Sequence, residues 1–162
     1  MFTLHCTKKL LDRIKPAIAQ LVASDTLLGS WYATALFWKP QVALLVSEET
    51  LLPILMPLAP ASTLSSRIPG HLAQVLKAHE APAAFIAEEI WRMQSVGYAK
   101  TANRSVVGIL NQFSMLADYW RSEHGDDLLA IALKLAETPC GPLYPGPGAP
   151  DRALHALLRS VS

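Results

Sequence analysis

Apolar residues change their spacing several times along this chain, and each change predicts an element. Phe2 to Cys6 is a short apolar run that predicts a strand. Leu10, Leu11 and Ile14 then recur at helical spacing behind Thr7, a capping residue type, and predict a helix over residues 8–15. Pro16 breaks that pattern; residues 17–23 read as a second short helix and 25–30 as a loop. Residues 30–38 are aromatic and β-favouring, with Trp31, Ala33, Ala35 and Phe37 on one face and Tyr32, Thr34, Leu36 and Trp38 on the other. After a turn at Lys39-Pro40, residues 42–46 are continuously apolar, as in a strand covered on both faces. Residues 47–50 turn again, and 51–58 complete a meander. Pro53 and Pro57 lack a backbone donor, which predicts that the last strand is bulged or lies at an edge.

Beyond Ser62 the spacing is helical. One helix runs from Ser65 or Ser66 to His79 with Pro69 in its first turn, and Pro82 opens another over residues 83–94. Residues 96–100 return to the sheet. Thr101 or Asn103 then caps a long helix that ends near Gly125, and Asp126 caps one over residues 128–137. Residues 139–150 hold five prolines and three glycines and read as a loop without regular structure, followed by a helix over 151–161. This order predicts an α+β fold: one compact domain over residues 1–162, with a mainly antiparallel sheet of about four to five strands packed with helices. A crossover to the late strand would add a parallel pair.

Of the 162 residues, 51% are hydrophobic and 17% charged, where about a quarter is usual for charged residues. The apolar surplus fits a sheet covered on both faces or a dimer interface. A net charge of +1 gives no global electrostatic reason to bind nucleic acid or a membrane. Cys6 and Cys140 form no CxxC pair, which excludes zinc-ribbon, Fe–S and thioredoxin-type sites and fits buried, reduced thiols. The start shows no signal-peptide pattern. The most apolar stretch, residues 42–58, carries Glu48, Glu49 and two prolines and does not span a bilayer. Cytoplasm is the expected location, with no membrane partner.

Polar chemistry concentrates in residues 100–111. On a helical wheel from Asn103, residues Val106, Ile109, Leu110, Phe113, Ala117 and Trp120 form the core side, while Arg104, Gly108, Asn111 and Met115 form nearly the opposite stripe. A glycine inside a helix costs about 1 kcal/mol against alanine. A close neighbour, whether a backbone, a ligand or a partner helix, would account for Gly108. The first amides of that helix carry partial positive charge, and Lys100, Thr101, Arg104 and Ser105 surround them, a combination suited to phosphate or carboxylate. Thr7, Lys8 and Lys9 repeat the same chemistry at the first strand-to-helix junction. If the first and late strands are neighbours, both junctions serve one anion.

The opening Leu4-His5-Cys6-Thr7-Lys8-Lys9-Leu10-Leu11 and the later Lys100-Thr101-x-Asn103-Arg104-Ser105-Val106-x-Gly108-x-x-Asn111 together resemble an uncharacterised bacterial family, a domain of unknown function. The strand pair from Trp31 to Leu58 is similar to that family as well. The resemblance implies one compact bacterial domain and supplies no activity, cofactor or catalytic residue.

Other constellations exclude more than they assign. His5, His71, His79, His124 and His155 form no HxH or HExxH, so no metal is expected. Adjacent His5 and Cys6 point to opposite faces of a strand and make no dyad. The absence of GxSxG, GxxxxGK[ST] and GxGxxG argues against an α/β-hydrolase, a P-loop and a Rossmann site. The acidic pairs Glu48-Glu49, Glu88-Glu89 and Asp126-Asp127 show no two-metal constellation, and Trp31, Tyr32, Phe37 and Trp38 read as core rather than as base-stacking residues. The resulting expectation is a cytoplasmic binding domain without cofactor. Its ligand is anionic and phosphate-bearing, a nucleotide or nucleic acid, held by Thr7, Lys8, Lys9, Lys100, Thr101, Asn103, Arg104, Ser105, Gly108 and Asn111. The alternatives are a hydrolase or nuclease acting on a phosphate ester or amide, with Cys6, His5 or a distant carboxylate completing the site, and a dimeric protein-interaction module.

Overall fold

The computed structural model describes residues 1–18 and 23–161. The strands are β1 (Phe2–Cys6), β2 (Trp31–Leu36), β3 (Val42–Ser47), β4 (Pro53–Pro57) and β5 (Val96–Lys100), and they form one sheet in the order β4-β3-β2-β1-β5. The β2-β3-β4 meander is antiparallel, with Trp31 opposite Ser47 and Val42 opposite Pro57. β1 pairs in parallel with both of its neighbours, so Leu4 lies between Trp31 and Tyr98. The helices among the described residues are α1 (Lys8–Ile14), α2 (Leu64–Ala78), α3 (Ala83–Arg92), α4 (Arg104–His124), α5 (Leu128–Ala136) and α6 (Pro150–Val161). The α+β class and the edge position of the proline-bearing β4 are as the pattern predicts.

Strand alternation sorts the apolar side chains into two cores. Phe2, Leu4, Cys6, Trp31, Ala33 and Leu45 meet Leu10 of α1, Ile68 and Leu72 of α2, Phe85 of α3 and Leu154 of α6. On the other face Tyr32, Leu36, Leu44 and Val46 meet Val106, Ile109, Leu110 and Phe113 of α4 and Ile131 and Leu135 of α5. The sheet is therefore covered on both sides, and that arrangement uses the surplus of apolar residues. Each fully buried Leu- or Phe-sized side chain contributes about 1.5–3 kcal/mol.

Several local expectations shift. Pro69 lies in the second turn of α2 rather than the first, because buried Leu64 starts the helix directly behind a 3-10 turn at Ala61–Thr63. Asp127, not Asp126, caps α5: its carboxylate accepts from the Ala130 amide at 3.1 Å, while Asp126 is drawn to Arg121 at 3.3 Å. Thr7 occupies the N-cap position of α1 without capping it. Parallel pairing with β2 brings Thr34 alongside, and the Thr7 hydroxyl donates to Thr34 Oγ1 at 2.8 Å. The proline-rich loop contains a 3-10 turn at Gly141–Leu143, and Pro150 is already the first residue of α6. Phe37 falls beyond β2 and is exposed. The helix expected over 17–23 falls mostly on residues 19–22, outside the described residues; Ile18 bridges in parallel to Tyr98.

One charged group is built into the first core. Glu89 of α3 is fully buried, and its two carboxylate oxygens accept from the Leu27 and Leu28 amides, each at 2.8 Å. These bonds tie the loop before β2 to α3. Burial raises the Glu89 carboxyl above its ordinary range, against the two amides and Arg92, which lower it. Glu89→Ala, which strands both amides, lowers unfolding free energy by about 2–4 kcal/mol in urea titrations. The folded-state pKa lies above the unfolded one, so the folded chain holds this proton more tightly. The stability of wild type relative to Glu89→Gln therefore falls as pH rises from the ordinary glutamate pKa of 4.5 through the folded-state value, and a flat difference curve refutes this assignment.

Candidate functional site

β1 and β5 run side by side in the same direction, with Cys6 opposite Lys100 at their carboxyl ends. Each strand feeds a helix at that edge, but the helices part. α1 packs into the first core through Leu10, and α4 into the second through Val106 and Leu110. Where helices leave parallel neighbours on opposite faces, a crevice opens outside the strand ends, the usual ligand position in sheets with parallel strands. The condition set by the sequence, adjacency of the first and late strands, is met.

The α4 junction is tightly held. Asn103 Oδ1 accepts from the Ser105 amide at 3.0 Å and the Val106 amide at 3.3 Å, so Asn103 rather than Thr101 is the cap. The Asn103 amide donates to Tyr32 Oη at 3.0 Å, which locks the junction to β2. The helix end is consequently less bare than the sequence implies, because the Asn103 side chain already occupies two of its amides.

Thr101, Arg104, Gly108 and Asn111, with Val107, line one concavity of about 410 Å³ beside this junction. A Cβ placed on Gly108 meets nothing within 4 Å among the described residues, so no backbone among them is the neighbour that requires glycine there. Neither Arg104 nor Lys100 has a carboxylate partner among the described residues. Glu88 is engaged by Arg92 at 2.9 Å, and Glu89 by the loop amides. The other predicted residues are placed differently. Exposed Lys8 is 4.0 Å from Asp12, Lys9 Nζ lies 6.0 Å from the centre of the Phe37 ring, and Thr7 bonds Thr34. Thr7, Lys8, Lys9 and Lys100 share the edge without lining this concavity, and exposed Ser105 contributes its amide to the cap.

A second concavity, of about 470 Å³, adjoins the first at Ala102 and is lined by Thr3, His5, Ser30, Tyr32, Glu48 and Asn103. Sequence reasoning missed it. Its signal was weak: Thr3 and His5 are the polar positions of an otherwise apolar strand, and their meeting with Tyr32 depends on pairing between remote segments. The His5 ring stacks on Tyr32 with centroids 4.4 Å apart and 16° between planes, and its Nδ1 donates to the Lys100 carbonyl at 2.9 Å. Burial, and secondarily the Glu48 charge, raise the Tyr32 hydroxyl above its ordinary pKa, against amides that lower it. Cys6 belongs to the other face. Burial pushes its thiol up to about 12 and that of Cys140 to about 11, which disfavours the thiolate at both. No three His, Cys, Asp or Glu side chains gather as a metal site among the described residues.

The model of one family, described as a domain of unknown function (DUF6933), matches residues 3–153 of this chain. No curated protein and no solved structure matches it.

Gly108 separates stability from recognition. With open space at its Cβ, Gly108→Ala raises unfolding free energy by about 0.5–1 kcal/mol. Thermal melts check this; a lower Tm means that something in the folded chain does approach that position.

Proposed function

We propose a binding role for this chain, which belongs to the family described as a domain of unknown function (DUF6933): it holds an anionic, phosphate-bearing ligand at the carboxyl edge of β1 and β5. The observation that carries this reading is the parallel pairing that sets Lys100 beside Cys6, and so brings both strand-to-helix junctions to one edge. Arg104, free of carboxylate partners among the described residues, supplies the bidentate contact. Lys100 and Lys8 act as point charges, Thr101 as a hydroxyl donor, and Asn111 reads a polar group across the gap at Gly108. Three cations along one edge, Arg104, Lys100 and Lys8, in a chain of net charge +1 favour a mononucleotide-sized anion over duplex nucleic acid, whose binding rests on many phosphate contacts. The free, buried thiols of Cys6 and Cys140 suit a reducing cytoplasm, and among the described residues no helix is long and apolar enough to cross a membrane.

One observation favours a second reading, a homodimer. The stripe that carries Gly108 and Asn111 continues along α4 to Met115 and Tyr119, which are 73% and 56% exposed. Two such stripes would approach closely at Gly108.

Titration of inorganic phosphate and a mononucleotide against wild type and Arg104→Ala tests the first reading. Wild type saturates, and the variant binds at least about tenfold more weakly, as expected for loss of a charge-assisted hydrogen bond. Wild type that fails to saturate at millimolar ligand eliminates it. Light scattering tests the second reading: a dimer mass abolished by Gly108→Leu is its expected result, and a monomer at all concentrations removes it.

A further inference from the structure

The concavity over β1 and β2 has a hydrogen-bonding pattern of its own. The Lys100 carbonyl can only accept, so His5 Nδ1 carries a proton and, in the neutral ring, Nε2 carries the lone pair. His5 is 6% exposed and lines the concavity, and its Nε2 has no partner among the described residues. Tyr32 accepts the Asn103 amide through Oη, while its own O–H has no acceptor among the described residues. Glu48 adds a half-buried carboxylate at the rim. Residues that supply two acceptors and one donor thus line the same concavity. The His5 ring is immobilised by stacking and by its Nδ1 bond, so little conformational freedom is lost when a ligand docks.

We propose that this concavity is a subsite for a polyhydroxylated, sugar-type group, with His5 Nε2 and the Glu48 carboxylate accepting from hydroxyls and the Tyr32 O–H donating to one. Hydroxyls both give and take hydrogen bonds, which is the complement of this set; a bare anion gives none and meets the carboxylate of Glu48 unfavourably. The subsite adjoins the Arg104 concavity through Ala102, so one sugar phosphate can occupy both. That last point rests on the anion reading above; the hydroxyl subsite itself does not.

The probes are inorganic phosphate, ribose and ribose 5-phosphate, titrated against wild type, His5→Asn and Glu48→Gln. Asparagine can still donate to the Lys100 carbonyl but lacks an Nε2. The Glu48 exchange, in a turn, keeps the test decisive should His5→Asn fail to fold. In wild type, ribose 5-phosphate binds at least about tenfold tighter than inorganic phosphate, a margin of one to two good hydrogen bonds. Each variant that folds reduces that margin several-fold without weakening phosphate binding. Phosphate binding without a ribose margin, or a margin that survives in both variants, overturns the subsite and leaves the anion reading standing. Ribose binding lost in the variants, with no phosphate binding, supports the subsite and ends the anion reading. No binding of any probe ends both.

Discussion

Parallel pairing of β1 with both neighbours organises this molecule. Strands paired in parallel cannot be joined by a tight hairpin, so the chain must leave the sheet through helices after β1 and before β5. Because β1 is interior, both of its faces must be apolar or hydrogen-bonded. Phe2, Leu4 and Cys6 fill one core, while Thr3 and His5 look to the other side beyond the reach of the α4 apolar stripe. The same pairing aligns Cys6 with Lys100 and makes a single edge from two strand ends. A one-residue slip of β5 would move Val96 and Tyr98 off the first core, so burial itself pins the register.

Electrostatics then separates structural cations from uncommitted ones. Arg67 donates to the carbonyls of Pro57, Leu58 and Pro60 and ties α2 to the end of β4. Arg92 holds Glu88 and the Asp25 carbonyl, and Arg121 lies over Trp38 while contacting Asp126. Arg104 and Lys100 have no such engagements among the described residues. Surface cations are individually weak and often do nothing specific. What distinguishes these two is position: Arg104 lines the concavity beside Gly108, and Lys100 ends β5 at the same edge.

The two concavities share a wall made of the β5–α4 junction, and that wall is rigid for identifiable reasons. Asn103 bonds in both directions, its side chain to α4 and its amide to Tyr32, and Tyr32 in turn supports the His5 ring. A wall braced by these bonds makes a preorganised surface. The enzymatic alternative loses its thiol, because Cys6 faces the opposite core and its burial disfavours the thiolate.

Much of this was legible along the chain. The spacing of Leu10, Leu11 and Ile14, the continuous run at Val42 and the stripe from Val106 to Ala117 each name an element and its buried side, because local periodicity is what the two cores select. The Arg104, Gly108 and Asn111 stripe was equally visible. What the chain alone left open depends on which strands become neighbours: Thr7 abandoning its cap for Thr34, Glu89 serving amides of a distant loop, and His5 meeting Tyr32 and the Lys100 carbonyl. Periodicity reports whether a residue is buried. The partner that satisfies a buried polar group is decided by tertiary packing, because such a bond forms only when remote segments are brought within about 3 Å.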